Sequence, residues 1–240
     1  MPRGRRHARW GGALLAFALP CLLANTGLEL DRLLRDFEIV AFGAEYQETD
    51  RRLYKWTGPL RVHLDIHAGD PALYRSLTTD HLELLAELTG LQISLTDDPS
   101  DANFVMVFDR GAQLFDSTGR HAPSLAQHRV LMRDALCFGQ YSRDRQGRIT
   151  RAVIGIPTDR AASAGKLPAC IVEETTQALG LPNDSDEVNP SIFNDRSVLD
   201  QLTEHDRILV RLLYDPRLAP GAGRDEALPV ARQILREWGH

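Results

Sequence analysis

The sequence predicts an α+β domain, and three observations carry that reading. Residues Arg61 to His67 alternate apolar and polar at period two, as a half-buried strand does. Apolar stripes at helical spacing follow that strand and recur near the C-terminus, with a group of short strand-like runs between them. Two hundred and forty residues, 43% hydrophobic and 25% charged, supply one real core and show no internal repeat or low-complexity tract. One continuous domain over 55–218 is the simplest division, with residues 1–24 and 25–54 as leader and lead-in, and 219–240 as a C-terminal amphipathic helix.

The first 24 residues differ from the rest. Arg3, Arg5, Arg6 and Arg9 precede an apolar run from Ala13 to Ala24, which is too short for a membrane-spanning helix and has the layout of a secretory signal peptide. Export to the periplasm or the medium is the expectation, with cleavage after Ala24. An uncleaved anchor is the alternative. Acylation of Cys21 is a further one, although Ala18, Leu19 and Pro20 make a poor lipobox. Removing the leader leaves 24 of the 28 basic residues against 33 acidic ones, a net charge of −9 where the whole chain carries −5. That balance argues against nucleic acid and anionic membrane as partners, and no integral membrane segment is expected once the leader is gone. Cys137 and Cys170 are then the two cysteines that remain. In an oxidising compartment they are most simply a disulfide, and elsewhere two buried thiols.

Along the domain, Val62, Leu64 and Ile66 form the core side of the first strand. Asp70 is a good N-cap, Pro71 suits the first helical position, and Leu73, Leu77, Leu84, Leu85 and Leu88 make a stripe that ends at Gly90. His81 falls near that face. Leu91 to Thr96 and Asn103 to Phe108 read as strands parted by Asp97-Asp-Pro-Ser-Asp101. Between 110 and 135 the pattern is weak, with a helix expected from about Ser124 to Ala135. Phe138 to Ser142 and Ile149 to Ile156 read as a hairpin closed around Arg145-Gln-Gly-Arg148. Pro168 opens a helix that Gly180 ends. Thr203 caps another, with Asp206 three residues on as a variant capping box and Ile208, Leu209, Leu212 and Leu213 as its apolar face. Arg224 to Glu237 is the last helix, with Pro229 in its first turn or at a kink.

The helix after Pro168 carries the chemistry. In "CIVEETTQALGLPND", residues 170 to 184, Glu173, Glu174, Gln177, Gly180 and Asn183 keep the spacing of the zinc-peptidase pattern His-Glu-x-x-His-x-x-Gly-x-x-His. There the spacing puts two imidazoles one helical turn apart, a general-base glutamate at the metal-bound water, and a third ligand beyond a glycine turn. Ser191-Ile-Phe-Asn194 resembles the Met-turn of metzincins with Phe193 at the methionine, and Leu202-Thr-x-x-Asp206 to Leu213-Tyr214 resembles the helix that follows it. Lys55-Trp56 before a strand and a long helix is a common metzincin opening. From Trp56 to Tyr214 the chain thus resembles a metzincin-like zincin domain. It is more similar still to a family of exported proteobacterial proteins that share Glu-Glu-x-x-Gln-x-Leu-Gly-Leu-x-Asn-Asp-Ser-Asp and Ser-Ile-Phe-Asn-Asp and have no established activity. The resemblance implies a mixed sheet packed on a long helix and an active-site-like helix.

All three histidines of the pattern are replaced. Amide oxygens of Gln177 and Asn183 are weak zinc ligands and Glu173 alone cannot hold the ion, so zinc is not expected. Three uses of the polar face follow, in order of preference. In the first, a pseudopeptidase, Glu173, Glu174, Gln177 and Asn183 recognise a protein or small-molecule ligand or merely hydrogen-bond one another. Alternatively Glu173, Gln177 and Asn183, helped by Asp184 or Asp186, hold a hard divalent cation such as calcium or magnesium. Last, Glu173 and Glu174 carry out metal-free acid/base catalysis, or an atypical hydrolase has a metal or acid/base site centred on Glu174, although these adjacent helix residues point about 100 degrees apart and do not readily share a proton. Asn183-Asp-Ser-Asp186 lacks the glycine and distant glutamate of an EF-hand and reads as a turn. His63 and His67 share a strand face but lie too far apart for a tight chelate, and His205 in a first helical turn reads as solvated. Since the edge strand of zincins lies beside the cleft, a Cys137–Cys170 bridge would fasten that strand across the helix.

Overall fold

A computed structural model describes residues 19–43, 52–124, 135–194 and 196–240, with side chains from residue 27. Five strands form one mixed sheet in the order β2-β1-β3-β5-β4. They are β1 (Leu60–Ile66), β2 (Ile93–Leu95), β3 (Phe104–Asp109), β4 (Phe138–Arg143) and β5 (Ile149–Pro157). Strands β2, β1, β3 and β5 run parallel, and β4 lies antiparallel to β5 at one edge. The described helices are α1 (Leu19–Phe42), α2 (Pro71–Thr89), α3 (Gly111–Gly119), α4 (Thr158–Ser163), α5 (Leu167–Gln177), α6 (Glu204–Tyr214) and α7 (Arg224–Glu237). None of them is long and apolar enough to cross a membrane.

The α+β reading and the strand positions hold. Central strand β3 is buried along its whole length, as a strand covered on both faces must be. Phe104, Met106 and Phe108 pair in register with Ala152, Ile154 and Ile156 on one face and meet the main core there. Val105, Val107 and Val153 form a smaller core on the other face with Leu114 of α3. Asp70 accepts from the Ala72 and Leu73 amides at 2.9 and 3.2 Å, and Gly90 closes α2 at φ +71°. Thr203 and Asp206 make both halves of the expected capping box.

Four differences have physical causes. On α2 the leucine stripe meets the main core at Leu77, Leu84, Leu85 and Leu88 but Leu73 is 45% exposed, and Tyr74, Thr78, His81 and Leu82 are buried as well where α5 and α6 pack. The weak segment after Asp109 starts with α3, while the helix expected over 124–135 falls largely outside the described residues. Pro229 is the sixth residue of α7, in its second turn, and the helix continues past it. The lead-in carries α1, whose Leu30, Leu33, Leu34, Phe37, Val40 and Ala41 are buried in the main core against α6 and α7.

Helix α1 also explains His205. Its ring is only 14% exposed, and its Nε2 lies 3.0 Å from the fully buried carboxylate of Asp36. Burial opposes the Asp36 charge, but His205 and Arg35 outweigh it and hold the carboxyl below the usual aspartate range. His205 is thus a tertiary contact and not the solvated side chain expected from its position.

Candidate functional site

Helix α5 is built as a buried element with one polar edge. Ala169, Cys170, Ile171, Val172, Thr175 and Thr176 are buried, and Pro168 at the start needs no amide partner. The C-terminal carbonyls are satisfied from two distant segments. The Trp56 indole donates to Ala178 O at 2.9 Å, and the Tyr214 hydroxyl donates to Leu179 O at 2.8 Å while accepting from the Trp56 amide at 3.2 Å. Burial pushes the Tyr214 phenol well above its ordinary range, so it stays a donor. The chain then turns at Gly180, φ +117°, where a Cβ would lie 1.8 Å from Tyr54 O. Neighbouring Lys55 is buried, and its ammonium donates to Leu213 O and Asp215 O at 3.0 and 3.2 Å, capping α6. Desolvation lowers its pKa to about 8.

Beyond the turn, the buried Asp206 carboxylate organises Ser191-Ile-Phe-Asn194. It accepts from Ser191 Oγ at 2.6 Å, the Ile192 amide at 3.2 Å, and the Thr203 amide and hydroxyl at 2.9 and 2.8 Å. Phe193, in the middle of this turn, is fully buried. Asn194 ties this turn to the loop before it, donating to Asp186 O and Val188 O at 3.2 and 3.1 Å.

These elements enclose a cleft of about 240 Å³ between α5 and the chain entering β4. Glu173, Glu174 and Asp184 line it with Lys166, Asn194 and the disulfide of Cys137 and Cys170, whose Cα atoms are 5.8 Å apart. Lys166 Nζ donates to Ser197 O at the rim. Glu174 is 7% exposed and stands against the edge strand: its Oε2 lies 2.8 Å from the position a Cβ on Gly139 would take. A larger residue at 139 would require the Glu174 carboxylate to shift.

The polar positions predicted from spacing do not converge. Gln177 donates its amide to Asp184 Oδ1 at 2.7 Å. Asn183 turns away and donates to Ile39 O at 3.1 Å, lining a separate groove beside Phe42, Gly43 and Arg224. Asp186 is on the surface in an ion pair with Arg196 at 2.7 Å. Glu173, Glu174 and Asp184 therefore share the cleft, while the second and third ligand positions of the zinc pattern are committed elsewhere. Among the described residues no three His, Cys, Asp or Glu side chains are grouped to hold a metal ion. The residues present do not fit zinc.

Behind α5, His81 Nε2 meets Thr176 Oγ1 at 3.1 Å, and Thr176 donates to Val172 O at 2.6 Å. Burial drives the His81 pKa down to about 4, so the ring is neutral in the folded protein. The unfolded chain takes up this proton near pH 6.5 and the folded protein only near 4, so stability falls as pH drops through that window. The loss is about 3 kcal/mol once both values are passed. Asp36 and Asp65, held below the usual carboxylate range, lose their contribution only at lower pH. Urea unfolding of the native protein and of His81→Gln between pH 7 and 4 is expected to show the extra slope in the native protein alone. Parallel pH curves for the two would overturn the assignment.

A protein-family model described as Protein of unknown function (DUF2927) matches residues 31–233. The chain belongs to that family, whose match runs from within α1 to within α7 and so takes in the whole sheet and the cleft. Comparison with curated proteins finds no match.

Proposed function

We propose that this is an exported protein with a degenerate zincin-like domain that binds a protein or small-molecule ligand in the cleft beside α5 without zinc. The supporting observation is the split of the inherited spacing: Glu173 and Glu174 face the cleft, whereas Gln177 is bound to Asp184 and Asn183 to the end of α1. Several features support the zincin reading. They are an antiparallel edge strand beside the cleft, a glycine turn after the helix, and a buried Phe193 turn anchored by the next helix. Export rests on the arginine-led apolar leader and agrees with a disulfide. Mass spectrometry of the protein recovered from its host is expected to find a chain starting at Asn25.

The close placement of Glu174 against Gly139 favours a second reading, an atypical hydrolase centred on that carboxylate. Metal analysis of protein purified without chelators, combined with hydrolysis of a mixed peptide pool, separates the two. The binding reading expects substoichiometric zinc, no hydrolysis, and peptide retention weakened by Glu173→Gln or Asp184→Asn. Stoichiometric zinc with hydrolysis abolished by Glu174→Gln would establish the second reading instead.

A further inference from the structure

We propose that the cleft is redox-gated, with the Cys137–Cys170 disulfide as the catch. This rests on the reading of the cleft as the binding site. Ala135, Leu136 and Cys137 form the wall opposite α5 and lead directly into β4. That strand is at the sheet edge, paired with β5 alone among the described residues. The wall itself has no backbone hydrogen bond among the described residues. It is tied to α5 by the disulfide and by the approach of Cys170 Sγ to Leu136 O at 3.7 Å, and its other hold is the packing of the half-buried Leu136 and Cys137 against the edge of the main core. The sheet inward of this edge and the placement of α5 do not depend on the tie, since β5 is paired with β3 and Ile171 and Val172 hold α5 in the core, so release acts on the wall and on the edge strand β4 that continues it.

The location also favours exchange. Both cysteines line the cleft, Cys137 half-buried and Cys170 buried on the turn before Glu173 and Glu174. Cys137, the less buried of the two, is the sulfur open to an attacking thiolate, and Cys170 on α5 is the leaving sulfur. A dithiol reductant supplies the two electrons. Its thiolate attacks Cys137 Sγ, the S–S bond breaks and Cys170 leaves as thiolate. The second reductant thiolate then resolves the mixed disulfide, Cys137 and Cys170 take up protons, and the reductant departs oxidised. The outcome is a wall free to move from α5 and a cleft whose width follows the thiol state.

Hydrogen–deuterium exchange on the native full-length protein, before and after dithiothreitol, tests this without any ligand. Iodoacetamide labelling verifies that both thiols have formed. Amides over 135–143 are expected to exchange at least about tenfold faster after reduction, while α6 and α7 are unchanged. Cys137→Ser/Cys170→Ser is expected to show the fast pattern from the start and no response to dithiothreitol. Three results would overturn the gate: uniform acceleration across the chain, unchanged exchange over 135–143 with both thiols labelled, or a disulfide that resists reduction without denaturant. Since the readout needs no ligand, a wall that moves in a protein that binds no peptide would refute the binding reading and leave the gate standing.

Discussion

Gly180→Ala is expected to abolish the folded state or leave it severely destabilised. Two independent costs fall on that methyl group. The backbone sits at φ +117°, a region L side chains rarely adopt, and the new Cβ would lie 1.8 Å from the carbonyl oxygen of Tyr54, with Leu213 Cδ2 at 3.3 Å behind it. Relief requires moving the Tyr54 to Trp56 segment, and Trp56 satisfies the end of α5 through Ala178 O. Strain and lost contacts together exceed about 4 kcal/mol, against a typical domain stability of 5 to 15. Thermal and urea unfolding are the measurements. A variant that unfolds within about 1 kcal/mol of the parent would show that the turn is not constrained as described.

Asp206→Ala is expected to cost about 3 to 5 kcal/mol, more than an ordinary helix cap. The carboxylate is fully buried and accepts four hydrogen bonds, two from the cap at Thr203 and two from the turn at Ser191 and Ile192. Its removal leaves those donors without an acceptor and unties the floor of the cleft from α6. A double-mutant cycle with Ser191→Ala separates the two functions: the Ser191 change should cost little once Asp206 is gone. Additive losses would mean that the turn and the cap are independent. Peptide retention by the cleft should also weaken in Asp206→Ala under conditions where the variant remains folded.

Local patterns were legible where a short range of residues carries the constraint. The cap at Asp70, the capping box at Thr203 and Asp206, the glycine stop at Gly90 and the β4–β5 hairpin depend on neighbours within a few positions. The apolar face of α6 was equally plain, as Ile208, Leu209, Leu212 and Leu213 are all buried. Helix α1 was less plain because its stripe from Leu30 to Ala41 follows an already apolar leader and lies outside any motif. The stripe of α2 meets the core from Leu77 to Leu88 but not at Leu73, and the contact with α5 and α6 also buries Tyr74, Thr78 and His81, which a leucine stripe does not mark.

The sequence alone determined the spacing of Glu173, Glu174, Gln177, Gly180 and Asn183, the identity of the glycine that must turn the chain, and the two cysteines available to pair, which the structure joins across the cleft. Helical periodicity sets which of these residues share a face, and steric exclusion sets which residue can occupy the turn. What each side chain then meets was decided in three dimensions. Asn183 lies past the turn, where direction depends on the carbonyl of Ile39 on α1; Gln177 faces Asp184; Glu174 fits because β4 presents Gly139; and His205 meets Asp36 across 169 positions of chain. Partners so far apart in sequence leave no periodic trace, so only the packing of α1, α5, α6 and β4 could separate the residues that share the cleft from those that merely keep its spacing.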